Sequence, residues 1–142
     1  LTYLNDSEYA EWFWENGTEL MQTNFGISYN RGMNTFQPDF IVKFKNGNVG
    51  IFDTKPINYN VEDTKVKAEA LNRYLAEINI NRGRLPKVIG GIVVKKGGVF
   101  YYYNQREYVD IDADNTNWVE FKEIIEQVKL DVEANAYFEA HK

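Results

Sequence analysis

The chain has 142 residues, 44% of them hydrophobic and 26% charged, enough for one domain with a substantial core and too few for two. It has no cysteine, which excludes disulfides and thiolate metal sites, and its one histidine, His141, is next to last, which argues against a histidine base. The net charge of −5 is unevenly spread: residues 37–96 hold 11 Lys/Arg against 6 Asp/Glu, and the remainder 5 against 15, so the middle of the chain is basic and its ends acidic.

No apolar run approaches the roughly 18 residues of a membrane span and no signal-peptide pattern opens the chain, so a cytoplasmic location without membrane contact is expected. The first residue is Leu1, and a single domain over residues 1–142, cut from a larger protein, is expected.

Residues 7–16 read as a helix, because Tyr9, Trp12 and Phe13 follow i, i+3, i+4 spacing and Gly17 supplies a stop. Phe25, Ile27 and Tyr29 alternate with small or polar residues, a strand signal, and residues 30–35 read as a polar loop. Two β-rich runs follow, residues 36–45 and 49–55, separated by Asn46-Gly47, a hairpin signal. Pro56 ends the second run. Residues 62–79 read as a helix with Leu71, Tyr74, Leu75 and Ile78 as its apolar stripe and Lys67 and Ala68 one turn earlier. Residues 88–95 read as a buried strand, and Lys96-Gly97-Gly98 turns into a further strand over 99–103. Trp118, Phe121, Ile124, Ile125, Val128 and Val132 mark a long amphipathic C-terminal helix. The order is that of an α/β domain around one mixed sheet.

Chemistry is concentrated in the central hairpin, where Pro38-Asp39 is followed, after thirteen residues, by Asp53-Thr54-Lys55. A carboxylate inside a strand that is otherwise apolar is costly unless something compensates it. If Lys45-Asn46-Gly47 forms a three-residue loop with Gly47 left-handed, Phe44 pairs with Asn48 and Asp39 falls opposite Asp53. Asp39, Ile41, Ile51, Asp53 and Lys55 then share one face, and Phe40, Val42, Phe44 and Phe52 the other. A two-residue Asn-Gly loop would instead place the acids on opposite faces. Two carboxylates about 5 Å apart repel by roughly 3 kcal/mol at an effective dielectric near 20. A divalent cation reverses that sign, since hard oxygen ligands suit Mg²⁺. Lys55, two residues past Asp53, emerges on the same face and can orient a water or stabilise phosphate charge. The plainer alternative is a strand-start cap at Asp39 and an exposed Asp53–Lys55 salt bridge.

Pro38-Asp39 on one strand and Asp53-x-Lys55 on the next resemble the PD-(D/E)xK nuclease superfamily. Together with Trp12-Phe-Trp-Glu-Asn-Gly17, Phe25-Gly-Ile-Ser-Tyr29, Gln37-Pro-Asp-Phe-Ile-Val42 and Gly50-Ile-Phe-Asp-Thr-Lys55, they resemble one group within it. That group is the C-terminal endonuclease domain of type III restriction enzyme Res subunits and related DEAD/DEAH-box helicase proteins, and the resemblance covers roughly residues 1–80 by motif. It implies a restriction-endonuclease-like αβββαβ core and a Mg²⁺-dependent DNA endonuclease in which Mn²⁺ can substitute. Asp39 and Asp53 would hold the metal with the Thr54 backbone carbonyl, and Lys55 would act on the water. ATP would be used only by motor domains elsewhere in the same polypeptide, and a modification methyltransferase would be a partner subunit alongside DNA. Such nucleases also use a glutamate on the first helix; among Glu8, Glu11 and Glu15 the choice is Glu8, unless that residue lies upstream of Leu1. The Gln-Leu-x-x-Tyr pattern of some related nucleases is not matched.

Lys67 could lean toward the site or snorkel at the stripe's edge. Arg82, Arg84 and Lys87 form a basic loop that could touch phosphates. Tyr101–Tyr103 could stack bases, although alternation along a strand divides them between core and surface.

Overall fold

The computed structural model describes residues 9–15 (backbone alone for 12–15), 26–29, 32–55, 60–80, 82–83 and 87–141. Among them a mixed six-stranded sheet is flanked by two helices, an α/β arrangement, with a separate two-stranded hairpin beside it. In chain order the elements are β1 (Ala10–Glu15), β2 (Ile27–Tyr29), β3 (Asn34–Phe36), β4 (Phe40–Phe44), β5 (Val49–Thr54), α1 (Val61–Ile80), β6 (Val88–Lys96), β7 (Val99–Tyr103), β8 (Trp118–Glu120) and α2 (Lys122–Ala140). The large sheet runs β1-β4-β5-β6-β7-β8, and β2 pairs with β3. All of its pairings are antiparallel except β5 with β6, which α1 joins as a crossover.

Period-2 alternation assigns the two sheet faces. Phe40, Val42, Phe44, Phe52 and Val93 point one way and close against Phe121, Ile124 and Val128 at the start of α2. Gly50, opposite Val42, makes room for this layer, since a Cβ there would run into the rings of Phe52 and Phe44. On the other face Ile51 and Val88 pack under Ala70, Leu71 and Leu75 of α1 and meet Ile27 and Phe36 of the small hairpin. Farther along that face Ile92, Val94, Tyr103 and Trp118 pack with Ala68, Tyr108 and Ile111. Gly90 and Gly91, in the middle of β6, have φ of +154° and +149°, and a Cβ on either would strike a neighbouring strand's carbonyl, that of Ile51 or of Tyr103. Asn79, near the end of α1, donates to Val88 O (2.7 Å) and accepts from Val88 N (3.0 Å), which fixes the helix to the start of β6.

Three expectations are corrected. The helix expected over 7–16 is not formed: residues 10–15 are β1, hydrogen-bonded to β4 from Ala10↔Phe44 to Glu15↔Phe40. Aromatic residues favour strands, and the free edge of β4 offers this segment a full ladder of partners, which outweighs a three-residue helical spacing. Trp118 does not open the C-terminal helix but lies in β8, paired with Tyr103, its indole N–H donating to Val109 O at 2.9 Å. α2 starts only at Lys122. Within the polar loop expected over 30–35, Asn34 and Thr35 belong to β3 and pair with Tyr29 and Ser28. Tyr103 is a buried core residue packed with Tyr108 and Trp118, which leaves it no face for a base, whereas Tyr102 is half-buried, edge-on to Phe52 and Phe121. No helix among the described residues is long and apolar enough to cross a membrane.

Candidate functional site

The turn at residues 45–47 decides where the two acids go. Gly47 takes φ +94°, its N–H donates to Phe44 O (2.9 Å), and Phe44 N donates to Asn48 O (2.8 Å). This is the three-residue loop, steadied by Asn46 Oδ1, which accepts the Asn48 N–H at 3.0 Å. The register continues as Lys43↔Val49, Val42↔Gly50, Ile41↔Ile51 and Phe40↔Phe52, and Asp39, just beyond the last pair, lies beside Asp53, to whose carboxyl its backbone hydrogen-bonds.

One step farther, the same register sets Pro38, which is fully buried, opposite Thr54. Hydrogen-bonded pairs in this ladder recur at every second residue from Phe44–Asn48, so Thr54 is due to exchange bonds with residue 38. Proline has no N–H, and the Thr54 carbonyl therefore receives no ladder donor from that side. Separately from that ladder gap, Oδ2 of Asp39 accepts from both Thr54 N (3.0 Å) and Thr54 Oγ1 (2.7 Å). The side chain of Thr54 is thus part of the site, a role the motif assigned only to its carbonyl.

Asp53 is 4% exposed. Its Oδ2 is 2.6 Å from Lys55 Nζ, and Lys55 is itself largely enclosed. Burial pushes the Asp53 pKa above the ordinary carboxylate value; the hydrogen bond and charge of Lys55 oppose this, the charge of Asp39 adds to it, and a hydrogen bond from the Asp39 backbone opposes it. The backbone N–H of Lys55 donates to Val93 O (3.0 Å), so the lysine extends the parallel β5–β6 pairing by one residue. The site therefore lies at the carboxyl end of β5, beside Ile92 and Val93 in the middle of β6.

Lys67 lies on α1, largely enclosed, 3.0 Å from Asp63 Oδ2. Its pKa is raised, first by the hydrogen bond to Asp63, with further contributions from the charges of Tyr29 and Asp53. Asp39, Asp53, Thr54, Lys55 and Lys67 are thus brought to one end of the sheet. Arg82 is not: it follows α1 at its far end, roughly 20 Å along the helix axis from Lys67. Glu8 and Arg84 lie outside the described residues. Of the other two glutamates, Glu11 pairs with Lys43 (3.6 Å) on β1, whereas the backbone of Glu15 lies beside Phe40, one residue from Asp39.

Among the described residues no three His, Cys, Asp or Glu side chains converge as a metal-binding group. The oxygens that the resemblance would assign to a metal, the two carboxylates and the Thr54 carbonyl, are all hard donors, the kind that Mg²⁺ takes through one or two carboxylates while leaving its other positions to water and substrate phosphate. Asp63, the partner of Lys67, went unnoticed in the sequence although its i, i+4 spacing was readable there. Compared with known proteins, the chain matches no family model, no characterised protein and no solved structure.

Proposed function

We propose that this chain is a divalent-metal-dependent DNA endonuclease domain that hydrolyses phosphodiester bonds, of the type III restriction or helicase-linked kind. The observation that carries the reading is the hairpin register, which sets Asp39 beside Asp53 with Lys55 against Asp53 in an enclosed corner. A like-charged pair held this way costs free energy in a purely structural role and becomes favourable around a cation. Asp39, Asp53 and the Thr54 carbonyl would hold Mg²⁺, or Mn²⁺ in its place. When bound, the ion supplies Lewis-acid neutralisation of charge on the scissile phosphate. Thr54 orients Asp39 through Oδ2, and Lys55 Nζ hydrogen-bonds the attacking water or the oxygen on which charge develops. The basic segment 37–96 supports backbone contact with DNA. The ββαβ order of β4, β5, α1 and β6 is the part of a restriction-endonuclease-like αβββαβ core that supports the same proposal, with β1 where the leading helix was expected. An ATP-driven motor in the same polypeptide, a methyltransferase partner and a cytoplasmic setting complete it.

A second reading is a non-catalytic DNA-binding or assembly domain that keeps this architecture. Two contacts favour it: one oxygen of Asp39 is engaged by Thr54, and one of Asp53 by Lys55. Titration calorimetry with Mn²⁺ and Mg²⁺, wild type beside Asp53→Ala, separates the two. The nuclease reading expects binding that the substitution abolishes and duplex cleavage by the full-length protein that disappears with it. DNA binding with neither metal binding nor cleavage establishes the second reading, and absence of all three overturns both.

A further inference from the structure

Lys67 is an anomaly on its helix. Ala70, Leu71 and Leu75 of α1 are buried, with Tyr74 and Ile78 partly so, against Ile51 and the β2–β3 hairpin. Lys67 is one turn before Ala70 and Leu71 on this flank, and its side chain is only 23% exposed. A lysine that merely solubilises a helix carries its ammonium into open water. This one turns back to Asp63, which is itself 54% exposed.

Strand and helix directions explain what it faces. α1 is the crossover from β5 to parallel β6, so it runs back along β5. Ile51 packs under Leu71 and Leu75; Asp53, two residues on along the same face, therefore comes under the preceding turn, the one that bears Lys67. The electrostatic influence of Asp53 and of Tyr29 on the Lys67 ammonium agrees with that placement. Lys67 thus belongs to the helix turn that passes over Asp53, whereas Lys55 bonds that carboxylate directly.

We propose that Lys67 is a substrate-binding residue, the ammonium that grips a non-bridging oxygen of the DNA phosphate at this site, with Asp63 holding it in place until the phosphate takes over. This rests on the nuclease reading and adds a named anchor to it. The Lys67–Asp63 contact is an i, i+4 pair with an exposed acid, weak enough for exchange, whereas a phosphate presents a stronger charge and more acceptors to the same ammonium.

The test is fluorescence anisotropy of a labelled DNA duplex with the full 142-residue chain, in EDTA across a series of salt concentrations. Wild type is compared with Lys67→Ala, Lys67→Arg, Asp63→Asn and Glu77→Gln, the last removing an exposed acid elsewhere on α1 as a control for net charge. Lys67→Ala is expected to weaken binding several-fold and to lower the slope of log K against log salt by about one, and Lys67→Arg to restore both. Asp63→Asn is expected to tighten binding more than Glu77→Gln. If wild type binds while Lys67→Ala keeps the full slope and Asp63→Asn matches Glu77→Gln, the Lys67 assignment falls and the nuclease reading stands. If wild type binds no DNA even at low salt, the Lys67 assignment falls, and the nuclease reading is decided by metal binding and cleavage.

Discussion

The β4–β5 hairpin is one backbone with two unlike faces. Toward α2 it presents Phe40, Val42, Phe44 and Phe52, a dry layer closed by Phe121, Ile124 and Val128. Toward α1 it presents Ile51 and then Asp53, a buried acid bonded by Lys55. The first face stabilises the fold by removing apolar area from water; the second holds a carboxyl where its ionised form is disfavoured, a free-energy cost the first must offset. A site of this kind needs a rigid floor, and the alternation of a strand supplies floor and site from neighbouring residues.

Substitutions on the two faces should therefore separate stability from ligand binding. The largest effect is expected from Phe52→Ala. Phe52 is fully buried, with its ring 4.9 Å from that of Phe121, and truncation should cost about 3–5 kcal/mol in urea unfolding. Below its lowered melting temperature the variant should still bind Mn²⁺, because Asp53 points the other way. Loss of metal affinity in protein that remains folded would show that the faces are not independent.

Asp53→Asn should act in the opposite direction, by a smaller amount. A carboxyl whose pKa is higher in the folded than in the unfolded chain binds more protons when folded, across the interval between the two values. Stability then falls as pH rises through that interval, which begins at the ordinary value of 3.8. An asparagine carries no such dependence and still offers Lys55 an oxygen. In metal-free buffer the stability of the variant relative to wild type should therefore climb from about pH 4 and level off once the Asp53 carboxyl is fully ionised. Chemical denaturation at several pH values measures this; a flat or falling difference would mean that Lys55, not burial, governs the group.

The same contrast explains what could be read from the sequence. Alternation and the Asn46-Gly47 turn, both local signals, narrowed the β4–β5 hairpin to two registers, and left-handed Gly47 selects the three-residue loop that puts Asp39 and Asp53 on one face. β1 was not legible: Trp12, Phe13 and Trp14 satisfy a helical spacing as readily as a strand, and the pairing with β4 some thirty residues on decides between them. β3 and β8 are three-residue strands with little pattern of their own, held by their partners β2 and β7. Within the site, the role of the Thr54 hydroxyl was hidden for a different reason. It rests on the Asp39 carboxylate reaching Thr54 across the hairpin, a contact that becomes visible only once the register is known.

That contact supplies the smallest and most pointed test. Thr54→Val keeps the shape of the side chain and removes only the Oγ1 bond to Asp39 Oδ2, while the Thr54 N–H bond to the same oxygen remains. One of two hydrogen bonds to a partly exposed carboxylate should cost about 1 kcal/mol of stability. Partners that orient a metal-binding carboxylate typically change affinity by 10–100-fold, so with one bond retained Mn²⁺ affinity should fall by about tenfold. A rise would carry a different meaning: the hydroxyl would be competing with the metal for Asp39 instead of aiming it, and the engaged Asp39 oxygen would become evidence for the non-catalytic reading. Calorimetry on this variant thus asks whether the second face of the hairpin is built to receive a cation or merely to tie down a carboxylate.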